Sequence, residues 1–161
     1  EEDRERPMSV GSSLQELLMT QLGFLRLDER QHKIGEQLVG SIESDGYIRR
    51  DLAAISNDLA FAQGIETDEE ELEEILFKIQ DFEPAGIGAR NLQECLLLQI
   101  ERRTPDDITL LAYRIVEECF EEFSKKHYER IMKRLGVENE ELLKEAMNVI
   151  LKLNPKPGGA G

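Results

Sequence analysis

Apolar residues recur at helical spacing along almost the whole chain. From residue 12 onward, Leu, Ile and Val return every three or four positions, so they line one face of each helix while polar residues line the other. No segment sustains the apolar–polar alternation with a period of two that a half-buried strand requires. The pattern therefore predicts an all-α chain of about eight helices.

Residues that cap helices mark where these elements begin. Ser, Thr, Asp and Asn side chains accept hydrogen bonds from the free N–H groups of a first turn, and a Glu or Gln three residues later strengthens the signal. The predicted starts are Ser13-x-x-Glu16, Asp28-x-x-Gln31, Asp51, Thr67-x-x-Glu70, Asn91-x-x-Glu94, Thr104-Pro105, about Tyr128 and about Asn139. The helix that starts at Thr104-Pro105 is predicted to continue through Cys119 to Phe123, because its apolar residues keep one stripe over that range.

The segment Phe82–Gly88 interrupts the helical pattern between the fourth and fifth helices. Pro84 stops the preceding helix, and the glycines permit backbone angles that reorient the next one. We therefore predict two helical-bundle subdomains joined at a Pro-Gly seam, with a structural junction formed by Pro84, Gly86, Ile87, Gly88, Ala89 and Arg90. The predicted ranges are a disordered acidic lead-in at 1–11, an N-terminal subdomain at 12–86, a C-terminal subdomain at 87–153 and a flexible Pro/Gly tail at 154–161.

Composition narrows the class of protein. The net charge of −14 argues against a protein that coats nucleic acid by bulk charge. Cys95 and Cys119 fall on apolar helical stripes without any CxxC spacing, so we expect reduced, buried thiols in a cytoplasmic protein. No apolar run approaches the roughly 18 residues of a membrane span. Because the chain opens on Glu1 and not on Met, we expect it to be part of a longer protein.

Catalytic and cofactor chemistry finds little support in the sequence. Gly86-Ile87-Gly88 precedes a helix, but no strand comes before it and no Gly-Lys-Ser/Thr follows, so a nucleotide-phosphate loop is not indicated. His32 and His127 lie on polar helical faces, and neither has a metal-ligand partner at a suitable spacing. We therefore expect neither enzyme activity nor a bound cofactor or metal.

A weak internal repeat raises the question of DNA binding. Gly64–Gly86 resembles Gly136–Gly158, and each could supply the second helix of a helix-turn-helix-like unit. Such a helix must approach phosphates in the major groove, yet these begin with the acidic runs Glu66–Glu74 and Glu138–Glu145, which repel DNA. The basic residues are concentrated elsewhere, at Lys125–Arg134, Arg49-Arg50 and Arg102-Arg103. A solvated surface balanced by neighbouring acids is the alternative interpretation for each basic group.

The segment Phe82–Ile100 resembles a known signature. Its sequence PAGIGARNLQECL is similar to the Pro-x-Gly-Val-Gly-Ala-Arg-Asp/Asn-Leu-x-Glu-Cys-Leu signature of the sigma-54 (sigma-N) class of bacterial RNA polymerase sigma factors. Two further stretches agree, LDERQHKIGEQLVGSIESDGYI at Leu27–Ile48 and LNPKPG at Leu153–Gly158. The resemblance extends from Leu14 to Gly158 in the right order, and its departures are small, such as Ile87 where Val is commoner.

This resemblance implies that the chain is the core RNA polymerase-binding region of a sigma-54 class factor, which acts at activator-dependent promoters. It also implies that the AAA+ activator ATPase and promoter DNA are contacted by other regions of the factor, and we expect the isolated chain to be a monomer. The charged residues that we expect to contact polymerase are Arg90, Arg49, Arg50, Lys125, Lys126, Arg130, Lys133, Arg134, Glu69, Glu70 and Glu73. The alternative function is a helical scaffold or adaptor for another protein, with no role in transcription.

Overall fold

The computed structural model describes residues 10–159, with side chains from Ser13 onward, and this part of the chain is all-α. Its helices are α1 Val10–Leu22, α2 Glu29–Gly40, α3 Leu52–Gln63, α4 Glu69–Ile79, α5 Leu92–Ile100, α6 Asp107–Glu118, α7 Phe120–Ser124, α8 Tyr128–Leu135 and α9 Glu140–Leu151. The β contacts described in this range are isolated bridges, between Ile42 and Ile48 and between Tyr47 and Ala89. The all-α prediction is confirmed. None of the described helices is both long and apolar enough to cross a bilayer.

The helix predicted from Thr104-Pro105 to Phe123 is two helices in the structure, which raises the described count from about eight to nine. Cys119 leaves the helical region, with φ −129° and ψ 32°, so α6 ends at Glu118 and α7 begins at Phe120. The apolar stripe continues across this break, and for that reason the sequence pattern does not reveal it.

Two predicted helix starts are confirmed by their capping hydrogen bonds. The Asp28 side chain accepts from the Gln31 N–H over 2.7 Å. The Asn139 side chain accepts from the N–H groups of Glu141 and Leu142, over 3.0 and 3.1 Å. Each bond satisfies an amide that has no partner inside the helix.

Three other predicted starts are wrong by one to four residues. Helix α1 begins at Val10, so Ser13 lies inside it, where bonds from the preceding turn replace the predicted capping box. Helices α4 and α6 use Asp68 and Asp106 as caps, instead of Thr67 and Thr104. Aspartate is a stronger cap than threonine, and Asp68 and Asp106 lie one and two residues after the predicted Thr67 and Thr104.

The chain divides into two compact units, which we describe separately. Unit 1 comprises the described parts of Glu1–Asn91 and Lys156–Gly161. Its helix α2 packs against α1, α3 and α4. The fully buried side chains of its core are mainly leucine and isoleucine: Leu18, Leu22, Ile34, Leu38, Ile48, Ile55, Leu59, Leu72, Ile75, Leu76, Ile79 and Ile87.

Unit 2 comprises Leu92–Pro155 and has its own core. Helix α6 is central to it and packs against α5, α7, α8 and α9. Cys95 and Cys119 are free thiols with no exposed surface, so the predicted burial is confirmed. Burial is also the main reason that the pKa of the Cys119 thiol is raised above its ordinary value.

The unit boundary lies between Asn91 and Leu92, five residues after the predicted one, because the junction packs within unit 1. The predicted flexible tail also differs from the structure. Residues 156–159 belong to unit 1, where the Gly158 N–H donates to the Asp45 carbonyl over 2.9 Å. Of the predicted lead-in at 1–11, residues 1–9 lie outside the described residues and the last two belong to α1, and residues 160–161 are likewise outside.

Candidate functional site

The predicted junction belongs to unit 1 and is fixed there by hydrogen bonds. Gly86 and Gly88 adopt φ of 95° and 78°, angles that residues with a Cβ rarely take. The side chains of Ile87 and Ala89 are fully buried. The glycines therefore turn the chain so that both apolar side chains are removed from water.

Hydrogen bonds join the junction to the turn that follows α2. The Gly88 N–H donates to the Gly46 carbonyl over 2.9 Å, and the Ile48 N–H donates to the Ala89 carbonyl over 2.9 Å. The buried side chain of Gln80 donates to the Gly88 carbonyl over 3.0 Å. These bonds fix the backbone of the junction against α4 and the turn.

Residues 156–159 close over the same turn. A Cβ on Gly158 would overlap the Ser44 carbonyl oxygen. A Cβ on Gly46, whose φ is 100°, would lie 2.7 Å from the Gly158 nitrogen. Only glycine fits at both positions, so two backbone segments pack directly against each other there.

Six of the predicted contact residues surround one groove on unit 1, which we call the charged groove. It has a volume of about 650 Å³ and is lined by Arg49, Arg50, Arg90, Glu69, Glu70 and Glu73, with Ile48, Asp51, Leu52 and Ala53. The residues come from the segment before α3, the first turns of α3 and α4, and the end of the junction. Side chains that are far apart in sequence thus form one surface with charges of both signs.

Two arginines of the charged groove, Arg49 and Arg50, form ion pairs with carboxylates of unit 1. Arg49 lies 2.7 Å from oxygens of both Glu43 and Asp45, and its hydrogen bond lowers the pKa of the Asp45 carboxyl. Arg50 donates to both carboxylate oxygens of Asp58, over 2.8 and 3.0 Å. These internal pairs compete with any outside anion for the same guanidinium groups.

Arg90, at the end of the junction, is tied to α4. Its Nη1 atom lies 2.7 Å from a carboxylate oxygen of Glu73. Its guanidinium carbon lies 5.6 Å from the centre of the Phe77 ring, within cation–π range. These contacts connect the junction to α4 within unit 1. The Arg90 side chain is also 32% exposed, so it forms part of the surface of the charged groove.

Glu69 and Glu70 are two anions of the charged groove that a partner can reach. They form the first turn of α4, directly after its Asp68 cap, where the helix dipole favours negative charge. Both are exposed, and neither forms an ion pair with another described residue.

The remaining predicted contacts lie in unit 2, on a basic segment that we define as Lys125–Arg134. Arg134 lies 2.8 Å from a carboxylate oxygen of Glu122, and Lys125 lies 4.0 Å from one of Glu121. The exposed cations of this segment that form no ion pair within residues 10–159 are Lys126, Arg130 and Lys133. Among the described residues, these three cations can therefore meet a partner without first breaking an ion pair.

Sequence reasoning missed an apolar groove on unit 2. This groove has a volume of about 490 Å³ and is lined by Tyr128, Met132, Leu143, Met147 and Leu151, with Glu129, Glu140, Lys144 and Asn148 at its edges. The sequence did contain a signal for this groove, because Leu143, Met147 and Leu151 follow one another at intervals of four residues. A helix has 3.6 residues per turn, so each of these side chains is rotated further around α9, and the last one lies away from the packed face. Leu151 is accordingly 70% exposed.

The side chains of the two grooves are of the kinds that bind other proteins. Within residues 10–159, no three His, Cys, Asp or Glu side chains are arranged to hold a metal ion. The charged groove presents carboxylates and guanidinium groups, and the apolar groove presents partly exposed aromatic and aliphatic side chains. Surfaces of these two kinds are what protein–protein interfaces use for a polar rim and an apolar centre.

Comparison with known proteins supports the resemblance over nearly the whole chain. The family model described as "Sigma-54 factor, core binding domain" matches residues 4–161. A protein of Azotobacter vinelandii named RNA polymerase sigma-54 factor is 38% identical over 93% of this chain and 30% of its own length. Proteins of that name from Acidithiobacillus ferridurans and Bacillus subtilis are 37% and 32% identical, over 97% and 91% of this chain and 32% and 31% of their own lengths. The chain spans about a third of these relatives, and it belongs to the sigma-54 factor core-binding domain family.

Proposed function

We propose that this chain binds core RNA polymerase as part of a sigma-54 class sigma factor, and that the whole factor acts in bacterial transcription initiation at activator-dependent promoters. The observation that carries the proposal is the match of residues 4–161 to a family described as a core-binding domain. A helical adaptor without a role in transcription would share the all-α fold, but it would give no reason for a match of this length.

Contacts with promoter DNA and with the activator ATPase are assigned to other parts of the longer factor. The exposed first turns of α4 and α9 support this division, because each carries consecutive glutamates. Carboxylates there would repel the phosphates that a recognition helix has to approach. We further propose that the isolated chain is a monomer in the cytoplasm and performs no catalysis.

The charged groove and the basic segment are the proposed polymerase contacts. Within them, we assign the main electrostatic contribution to Glu69 and Glu70 and to Lys126, Arg130 and Lys133. No ion pair with another described side chain has to be broken before these groups meet a partner. Arg49, Arg50 and Arg90 contribute less, because each already binds a carboxylate of unit 1.

Charge reversal with matched controls tests this assignment. We expect Glu69→Lys with Glu70→Lys, and separately Lys126→Glu with Arg130→Glu, to weaken binding of the chain to core polymerase at low salt. The controls are Glu74→Lys and Lys152→Glu, which change exposed residues of the same units outside both surfaces. The difference from the controls should shrink as salt rises, since exposed charges are screened beyond about 8 Å at physiological ionic strength. Equal affinities for variants and controls would reject these contact surfaces, whereas no binding by the unsubstituted chain would reject the function.

A further inference from the structure

The apolar groove lies between two helices of unit 2 that each pack against α6. Its α9 wall is a continuous stripe, with residues at intervals of three and four along three turns: Glu140, Leu143, Lys144, Met147, Asn148 and Leu151. Its α8 wall supplies Tyr128 and Met132. The aromatic ring and the leucine at its edge, Tyr128 and Leu151, are 45% and 70% exposed, so this apolar surface faces solvent.

One end of the apolar groove is acidic. A second concavity shares Glu129, Met132 and Glu140 with it and continues to Lys133, Val137 and Glu138. Glu129, Glu138 and Glu140 form no ion pair with another described residue. Lys144, by contrast, lies 3.9 Å from Glu141. Three carboxylates and one ammonium group, that of Lys133, thus border the end of the groove nearest the α8–α9 connection, and the net charge of these four side chains is negative.

We propose that this groove is the docking site for an amphipathic helix of core RNA polymerase, one that presents an aliphatic face and carries lysine or arginine at one end. The inference rests on the proposed function and deepens it by naming what unit 2 recognises. The aliphatic face of the helix covers Met132 and Leu151, and its basic end meets the three carboxylates. Methionine side chains adapt to irregular apolar surfaces, which suits a groove that two facing helices define.

The dimensions of the groove favour a helix as the occupant. The stripe on α9 spans the 12 residues of that helix, about 18 Å at the helical rise. A helix of about three turns lying along it places residues i, i+3, i+4 and i+7 into the groove, as in other helix-in-groove complexes. A second copy of this chain is a poor occupant, because it would bring another chain of net charge −14 against an acidic end.

Exposed apolar residues offer a test that leaves the core of unit 2 intact. The full chain is labelled and titrated with core RNA polymerase, and its affinity is compared with that of Leu151→Gln. We expect about tenfold weaker binding for Leu151→Gln, since a leucine at an interface is buried on docking. The matched control is Leu110→Gln, a leucine of α6 that is 55% exposed and lies outside the groove; its affinity should stay within about twofold of the unsubstituted chain.

A charge arm and a crosslinking arm complete the experiment. Glu129→Gln with Glu138→Gln should weaken binding at low salt but not at high salt, while Glu145→Gln, on the same unit but outside the groove, should not. A photo-crosslinking amino acid in place of Tyr128 should attach to a helical segment of polymerase that carries basic residues.

Three outcomes would overturn the proposal. Unchanged polymerase affinity of Leu151→Gln, beside binding by the unsubstituted chain, would reject the groove while leaving the proposed function standing. Crosslinking of position 128 to a second copy of the chain, with a concentration-dependent dimer that Leu151→Gln abolishes, would assign the groove to self-association. No binding by the unsubstituted chain would reject the proposed function, and with it this inference.

Discussion

At the scale of single residues, the turn at Asp45-Gly46 depends on two glycines that touch each other across the chain. A Cβ on either one would meet backbone atoms of the opposing segment, which cannot move aside as a flexible side chain can. The Gly88 N–H donates to the Gly46 carbonyl. A substitution at Gly46 therefore disturbs the tail and the junction together.

We expect Gly46→Ala to lower the free energy of unfolding by about 1–3 kcal/mol, the usual range for a residue forced into a sparsely populated backbone region. Chemical denaturation of the full chain measures this. The matched control is Gly40→Ala, where a Cβ has no atom within 4 Å and the glycine is the last residue of a helix. Stability there should be unchanged or higher, because alanine has the better helix propensity. Equal losses at both positions would contradict the backbone contact.

A second single-residue feature is the carboxylate of Glu71. Arg30 binds it through two nitrogens, at 2.8 and 2.6 Å, and the Thr67 hydroxyl donates to it over 2.5 Å. Hydrogen bonds from Arg30 and then Thr67 lower the pKa of Glu71 from 4.5 to about 2. Because the folded state favours the ionised form, this group stabilises the fold above its unfolded pKa and loses that effect as the carboxylate takes up a proton.

We expect Arg30→Ala to raise the pKa of Glu71 and to lower the denaturation midpoint at pH 7. The difference in midpoint between the variant and the unsubstituted chain should shrink as the pH falls from about 4.5 towards about 2, the interval over which Glu71 titrates. Carbon-detected NMR titration of the Glu71 carboxyl, beside denaturation at each pH, makes the measurement. A midpoint difference that is constant across this interval would show that Arg30 acts by packing and not through the carboxylate.

At the scale of elements, the apolar periodicity of the sequence predicted which segments are helical. It did not predict the residues at which all of these helices begin and end, which only the structure shows. The stripe of α6 and α7 is continuous in sequence, so only the backbone angles at Cys119 reveal the break. The starts of α4 and α6 were displaced because Thr and Asp both cap helices and lie within two residues of each other. Hydrogen-bond geometry, which the sequence does not contain, selects between them.

The cap of α6 gives a direct test at this scale. The Asp106 side chain accepts from the Thr109 N–H over 2.8 Å. We expect Asp106→Ala to destabilise unit 2 by about 1 kcal/mol, the typical effect of losing an N-cap. Thermal unfolding compares it with Thr104→Ala, an exposed residue before the cap, for which we expect no loss. A larger loss at Thr104 would favour the start that the sequence predicted.

At the scale of the whole molecule, the sequence indicated the kind of residues that meet a partner but not how they assemble. Arg49, Arg90 and Glu70 were each candidates on charge alone. Their convergence on one groove depends on the junction bonds at Gly88 and Ala89. The apolar groove escaped prediction for a related reason: periodicity marks which residues are apolar, and only the packing of α6 determines which of them stay uncovered.

The division of unit 1 into two chain segments leads to a further expectation. Deleting residues 156–161 removes the Gly158–Asp45 hydrogen bond. We expect amide exchange at Ile48 and Gly88 to accelerate about fivefold, equivalent to roughly 1 kcal/mol for one lost hydrogen bond. The Cys119 amide in unit 2, bonded to the Ile115 carbonyl, serves as the control and should not change. Uniform acceleration in both units would contradict this assignment of the tail.

We propose that the chain recognises core RNA polymerase as a protein surface and does not read promoter sequence. A titration of fluorescently labelled chain with purified core polymerase, run beside the same titration with promoter duplex alone, tests it most directly. We expect saturable binding to polymerase at micromolar concentration or below, and no sequence-specific binding to the duplex. Tight sequence-specific binding to the free duplex, or no association with polymerase at micromolar concentrations, would contradict it.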